Sequence, residues 1–226
     1  MCRSTAALGL ALASLIAVVT GCADADDARP VEVAGIEAVG CDRPQPRYGV
    51  GTFVADGLVL TAAHVVEGDL RDLRVGGAPA EVVTLDLRTD LALVALLDRP
   101  DEAPGSTPEW TAPVTDDVAA GPVHIVGPAG ATEVELIREL TLRVDDISRD
   151  ITSERDALEL DAVVDEGDSG SPVVDAGGRL IGVVVLRRPS TGVTYASTVP
   201  AFAELWDRSL EQDERADWLA RPGACT

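Results

Sequence analysis

The chain has 226 residues, 46% hydrophobic and 25% charged, with 21 Gly and 14 Pro, which excludes a disordered polymer and leaves apolar surface for one domain or two small ones. Only 3% is aromatic, so the core has to be built from Val, Leu, Ile and Ala. The 39 acidic residues outnumber 18 basic ones, all Arg, for a net charge of −21; such a chain repels a phosphate backbone and an anionic bilayer alike, which excludes nucleic acid as a partner.

Residues 1–21 open with a short polar start holding Arg3 and continue into an apolar run from Ala6 to Val19. The run is too short and too rich in alanine for a stable spanning helix and has the layout of an export signal. It ends Val19-Thr20-Gly21-Cys22, which resembles the bacterial lipobox. That resemblance implies a lipoprotein signal peptide over 1–21 and a diacylglycerol thioether on Cys22, with two or more acyl chains giving a stable anchor. The alternative is an ordinary signal peptide that happens to hold a cysteine. Of the four cysteines, Cys2 leaves with the signal and Cys22 is the lipid site, which leaves Cys41 and Cys225. Domain ends often lie close together and an exported chain meets an oxidising compartment, so these two are expected to form a disulfide; two free thiols are the alternative. No CxxC or Cys/His ligand cluster is present, so neither a metal nor a cofactor is expected.

Residues 22–40 are small, acidic and unpatterned and read as a tether, with the folded domain at 41–226. From Tyr48 the chain breaks into short apolar runs separated by Gly, Pro and Asp: YGVGTFVA, GLVLTAAHVV, AEVVTLDL and DLALVALL. A second set follows: PVHIVG, EVELIRELTLRV, ALELDAVV, SPVVDAGGRLIGVVVLR and GVTYASTV. Many short β-rich runs with turn residues between them predict an all-β barrel or sandwich. In EVELIRELTLRV the positions Val134, Leu136, Leu140, Leu142 and Val144 lean toward one buried strand face. Residues 98–117, with four prolines and no period, read as a connector between two β-units. Phe202, Leu205, Trp206 and Leu210 stand at helical spacing and predict a helix over about 201–219.

Three segments carry chemistry: Thr61-Ala62-Ala63-His64-Val65, Asp90-Leu91-Ala92-Leu93-Val94 and Gly167-Asp168-Ser169-Gly170-Ser171-Pro172. Singly, each has a structural explanation as a strand-end His, a turn Asp and a glycine loop. Together they hold what nucleophilic acyl transfer requires. A serine hydroxyl needs a base to take its proton, and the base needs an anion to fix its tautomer and stabilise its imidazolium. Glycines beside the serine let backbone N–H groups turn toward a developing oxyanion.

TAAHV, DLALV and GDSGSPVV in that order, with GVGTFV and GLVLTAAH ahead of the histidine, resemble the chymotrypsin-like (trypsin-fold) serine proteases, of the short bacterial trypsin-like peptidase kind, over residues 41 to about 210. The resemblance implies an all-β fold of two packed six-stranded antiparallel β-barrels with a C-terminal helix. The first barrel is then expected at about 45–97 and the second at about 118–199, with the active site in the cleft between them. An α/β-hydrolase would need Gly-x-Ser-x-Gly and the order Ser, Asp, His, and neither holds here. Carried over residue by residue, Ser169 matches the nucleophile, His64 the general base and then acid, and Asp90 the orienting carboxylate. The N–H groups of Gly167 and Ser169 match the oxyanion-hole positions. His124, far from any motif, reads as structural, and Asp90 is preferred to Asp86.

The sequence departs from the family pattern in two ways. No apolar new-terminus motif precedes the domain, which begins Cys41-Asp42-Arg43-Pro44, so Asp168 must find another cation, with Arg138 or Arg143 as the candidates, or stay partly solvated, and activity without zymogen cleavage is expected. HtrA-type relatives carry a peptide-binding module after the protease, and none is expected here. In the family the residue six before the nucleophile forms the base of the specificity pocket. That residue is Val163 here, with Val185, Leu186 and Arg187 as one wall and Gly192 opposite. Val163 cannot compensate a buried cation, so cleavage after Arg or Lys is not expected. Aliphatic side chains are favoured, and Arg187 with Arg188 leaves acidic ones as the alternative. The expected function is a monomeric, lipid-anchored serine endopeptidase acting on exported polypeptides at the extracytoplasmic face of a bacterial membrane. The competing reading is a non-catalytic binding or scaffold protein that keeps the fold.

Overall fold

A computed structural model describes residues 31–43, 45–97, 114–116, 118–146, 151–211 and 225. The signal segment and Cys22 lie outside the described residues, as does most of the 98–117 connector. The described chain forms two closed, six-stranded antiparallel barrels followed by a helix. The first barrel is built from β1 (Val33–Gly40), β2 (Arg47–Ala55), β3 (Leu58–Ala62), β4 (Leu70–Val75), β5 (Ala78–Asp86) and β6 (Leu91–Leu96). Its strand order is β1-β2-β3-β6-β5-β4, with a one-turn helix α1 (Ala63–Val66) after β3. The second barrel contains β7 (Gly121–Gly127), β8 (Gly130–Asp146), β9 (Ile151–Asp161), β10 (Pro172–Val174), β11 (Leu180–Arg188) and β12 (Val193–Thr198), in the order β10-β11-β12-β9-β8-β7.

Turn chemistry sets the registers. Gly76 and Gly77, both at positive φ, join β4 to β5 with Val75 opposite Ala78, a two-residue connection that residues with a Cβ rarely make. β3 and β6 are apolar almost without alternation because both of their faces are covered: one by the barrel interior, the other by the second barrel and the C-terminal helix α2 (Val199–Glu211). Phe202 and Leu205 of α2 and Leu180, Val183 and Val185 of β11 belong to the same apolar cluster as the first barrel's core, so the seam between the barrels is packed like an interior.

The tether expected over 22–40 is corrected by β1. Val33–Gly40 pairs with β2 on one side and β4 on the other, closing the first barrel, which begins at Val33 rather than near residue 45. Ile36 and Ala38 point into the core. Small residues hide the strand's alternation, and the glycines of β2 explain how it fits. A Cβ on Gly51 would lie 2.3 Å from Val59 and 2.9 Å from Ile36, so only glycine lets β1 and β2 close on that core. The helix expected at 201–219 begins two residues earlier and is described to Glu211; the rest of that span lies outside the described residues. Cys41 and Cys225 form a disulfide with their Cα atoms 5.5 Å apart.

Candidate active site

α1 places the histidine. The strand β3 ends at Ala62 in extended backbone, and a single helical turn follows. Ala63 N–H donates to the Asp90 carbonyl and His64 N–H to Asp90 Oδ1, both at 2.9 Å, so the turn before β6 holds the start of α1 by two hydrogen bonds. Asp90 sits at φ +59°, among the described residues the one non-glycine in the left-handed region, a conformation that persists only where surrounding contacts hold it. Its Oδ2 accepts from His64 Nδ1 at 2.8 Å.

The nucleophile comes from the other barrel. Glycines at positive φ, Gly167 (+102°) and Gly170 (+91°), bracket Ser169 and turn the loop sharply. Val50 N–H of β2 donates to the Ser169 carbonyl at 2.8 Å, and Gly170 N–H donates to the Val184 carbonyl at 2.7 Å. A Cβ on Gly170 would come within 2.0 Å of the Val50 carbonyl oxygen, so only glycine allows this close approach. Thr61 Oγ1 donates to the same Val50 carbonyl at 2.7 Å. These contacts bring Ser169 Oγ to 2.9 Å from His64 Nε2. Among the described residues, neither Gly167 N–H nor Ser169 N–H donates to a backbone carbonyl.

Electrostatics follow from this placement. Burial disfavours the imidazolium of half-buried His64. The hydrogen bond and charge of Asp90, with the charge of Glu67, outweigh that and hold its pKa above the ordinary histidine value, against a smaller opposing effect of Arg47. Arg47 of β2 donates to the carbonyls of His64 and Glu67, at 3.1 and 2.6 Å. Nothing in the sequence around Arg47 signalled that role.

Several expected residues lie elsewhere. Val163 is 65% exposed and lines a smaller cavity under the β7–β8 hairpin, not the cleft holding His64 and Ser169. Gly192 stands beside Val163, its missing Cβ 3.9 Å from that side chain. The cleft, about 490 Å³, is lined instead by the buried Val164 together with Val185, Leu186 and Arg187. Of the two adjacent valines, Val164 and not Val163 lines the cleft, a choice of side-chain direction that a motif pattern does not fix. Arg187 is paired with Glu166 at 2.7 Å and donates to the Val164 carbonyl at 3.5 Å. The cation expected beside Asp168 is not Arg138, which holds Glu159 at 2.5 Å on the neighbouring strand, and Arg143 is exposed on β8 opposite Glu154. Asp168 Oδ2 instead accepts the Asp165 N–H at 2.8 Å, a bond internal to its own loop. Asp86 turns away from the site toward α2, where it accepts from Arg88 N–H and from the guanidinium groups of Arg88 and Arg208. Burial opposes its charge, but these partners prevail and lower its pKa. His124 lies on β7 opposite Glu133, with Nε2 3.9 Å from the carboxylate.

The sequence from 49 to 183 matches the family model described as trypsin-like peptidase domain. The chain belongs to that family. Curated relatives include serine protease HTRA1 of Xenopus tropicalis, 27% identical over 157 residues, covering 66% of this chain and 33% of the relative. Serine protease HTRA4 of Homo sapiens is 28% identical over 169 residues, covering 67% and 33%. The peptidase chain thus spans about a third of the length of these relatives. Among solved structures, the Rv3671c protease from M. tuberculosis in its active form superposes with a TM-score of 0.67 at 24% identity, over 88% of this chain and 86% of that one. The inactive form of the same protease gives 0.56 at 24% identity, over 77% and 87%. At that identity the likeness establishes the two-barrel fold. Family and relatives together support a serine peptidase.

Proposed function

We propose that this peptidase domain is a serine endopeptidase acting on exported polypeptides, anchored to a membrane through lipid on Cys22. The observation that carries the catalytic reading is the chain of contacts Ser169 Oγ–His64 Nε2–His64 Nδ1–Asp90 Oδ2, at 2.9 and 2.8 Å, closed across the seam between the barrels. Ser169 Oγ attacks the scissile carbonyl while His64 Nε2 takes its proton, and Asp90 holds the Nδ1–H tautomer and balances the imidazolium. The carbonyl oxygen becomes an oxyanion that the Gly167 and Ser169 N–H groups receive. His64 then gives the proton to the leaving amine, forming the acyl-enzyme. A water molecule, deprotonated by His64, repeats the sequence, releasing the acid and regenerating Ser169.

Val164, Val185 and Leu186 give the cleft an apolar lining, and the Arg187–Glu166 pair compensates the arginine at its edge. We take this as support for small or medium aliphatic side chains before the cut, over acidic ones and over Arg or Lys. A peptide library decides it, and dominant cleavage after a basic residue would overturn the pocket reading. Among the described residues no helix is long and apolar enough to cross a membrane.

A fluorophosphonate probe should label the wild type covalently and leave Ser169→Ala unlabelled. Absence of labelling in the folded wild type would favour the non-catalytic scaffold. Anchoring is tested separately: labelled fatty acid should enter the wild type and not Cys22→Ala, and a variant that still took up the label would refute the lipid site.

A further inference from the structure

One charged side chain beside the triad plays no part in the reaction just described. Arg155 belongs to β9 in the second barrel, opposite Leu142 on β8 and two residues before the fully buried Ala157. Its guanidinium crosses the seam and brings Nη1 to 3.7 Å from Asp90 Oδ2, the same oxygen that accepts from His64 Nδ1. The Arg155 side chain is 9% exposed and that of Asp90 13%. Among the described residues, Arg155 Nε is buried without a hydrogen-bond partner. Burying a guanidinium with one N–H unmet is unfavourable, and nothing in the packing of a β-barrel asks for it. The neighbouring contact has the same direction: Ser197 of β12 donates from Oγ to the Thr89 carbonyl at 2.5 Å, so the second barrel grips the Thr89–Asp90 turn at two points.

We infer that Arg155 is a positioning residue for the triad, a fixed cation that holds the Asp90 carboxylate in its turn and sets the pH at which His64 becomes free to act as a base. The inference rests on the catalytic reading above. Its physics is a competition. The negative charge on Asp90 Oδ2 favours the imidazolium, and a guanidinium on the same oxygen offsets part of that charge at His64. Neutral His64, the form that can accept the serine proton, therefore persists to lower pH than Asp90 alone would permit. The other charged groups facing His64 are Glu67 and Arg47 from the first barrel, with Asp165, Glu166 and Arg187 along the cleft wall of the second. None of these is altered by a change at Arg155.

The test is the pH dependence of inactivation by a fluorophosphonate, from about pH 5 to about pH 9, for wild type, Arg155→Met and Arg155→Lys. In parallel, the imidazole C–H signal of His64 is titrated by NMR; the chain has only two histidines, so His124→Gln assigns the spectrum. In Arg155→Met the acid limb should move to higher pH, lowering the inactivation rate about three- to tenfold on that limb, with the NMR midpoint moving the same way. Arg155→Lys should restore most of the wild-type limb. Arg155→Gln serves the same comparison if the Met variant does not fold. Coincident limbs and midpoints in wild type, Met (or Gln) and Lys would overturn the inference and reduce Arg155 to a link between the barrels. A folded wild type that never reacts with the probe instead refutes the catalytic reading, and the NMR titration still decides the role of Arg155.

Discussion

The two barrels share a strand topology and differ in what they leave free. In the first, short strands are joined by tight turns, β3 and β6 are covered on both faces, and the core runs on without a break into α2 and β11. In the second, β8 runs for 17 residues and pairs with β9 past the end of the β9–β12 ladder, and Leu142, Ala157 and Tyr195 form a small separate cluster. The first barrel supplies His64 and Asp90 from a turn and a helical start that are bonded to each other. The second supplies Ser169, Arg155 and the cleft wall of Val164, Val184, Val185 and Leu186, with Tyr48 and Val65 of the first completing the lining. A base and its carboxylate need one fixed relation and gain from a closed, rigid setting, whereas a nucleophile and a pocket must meet substrates that vary. The division suits each half to its part of the chemistry.

The comparison can be broken at several points. The largest effect is expected at the pair within the first barrel: Asp90→Asn should lower turnover by up to about 10⁴-fold through the wrong His64 tautomer, with the circular dichroism spectrum unchanged. Near-wild-type turnover would show that the His64–Asp90 contact is structural. The next tests whether the ends of the domain are held by more than packing. Cys225→Ser opens a covalent link spanning 184 residues, and chain entropy sets its loss at up to about 5 kcal/mol in denaturant melts. An unchanged midpoint would mean that β1 and the packed seam suffice. The smallest concerns α2, which Arg208 ties to the first barrel through Asp86. Asp86→Asn should cost about 1–2 kcal/mol at neutral pH. Because the folded-state pKa of Asp86 is lowered, its contribution is present above the ordinary carboxylate range and lost as pH falls through the folded value. The gap between wild type and variant should therefore narrow as pH falls below the ordinary carboxylate range and close only below the lowered folded-state value. A gap of constant size would assign the stability to something other than the ionised carboxyl.

The candidate triad was legible because acyl transfer constrains both residue type and local backbone. A histidine after a strand, an aspartate before one and a serine between glycines are local patterns, and all three converge in space as expected. The fold was legible for the same reason, through turn residues at regular spacing. What stayed hidden depends on long-range packing. β1 is written in alanines and glycines that show no period until Gly51 is seen making room for Ile36. The choice between Val163 and Val164 as pocket lining turns on a single side-chain direction. Arg155 and Arg47 are ordinary strand arginines in sequence, and only the meeting of two barrels gives either of them a neighbour in the active site.

β1 has one more consequence, for the range of the enzyme. The first described strand begins at Val33, only eleven residues beyond Cys22. Even fully drawn out, a chain of that length spans at most about 40 Å. If Cys22 carries the proposed lipid, the cleft would patrol only a thin layer over the bilayer. Susceptible bonds would then be chosen first by altitude, with membrane-proximal stalks and freshly translocated segments inside the layer and the tops of tall ectodomains out of reach.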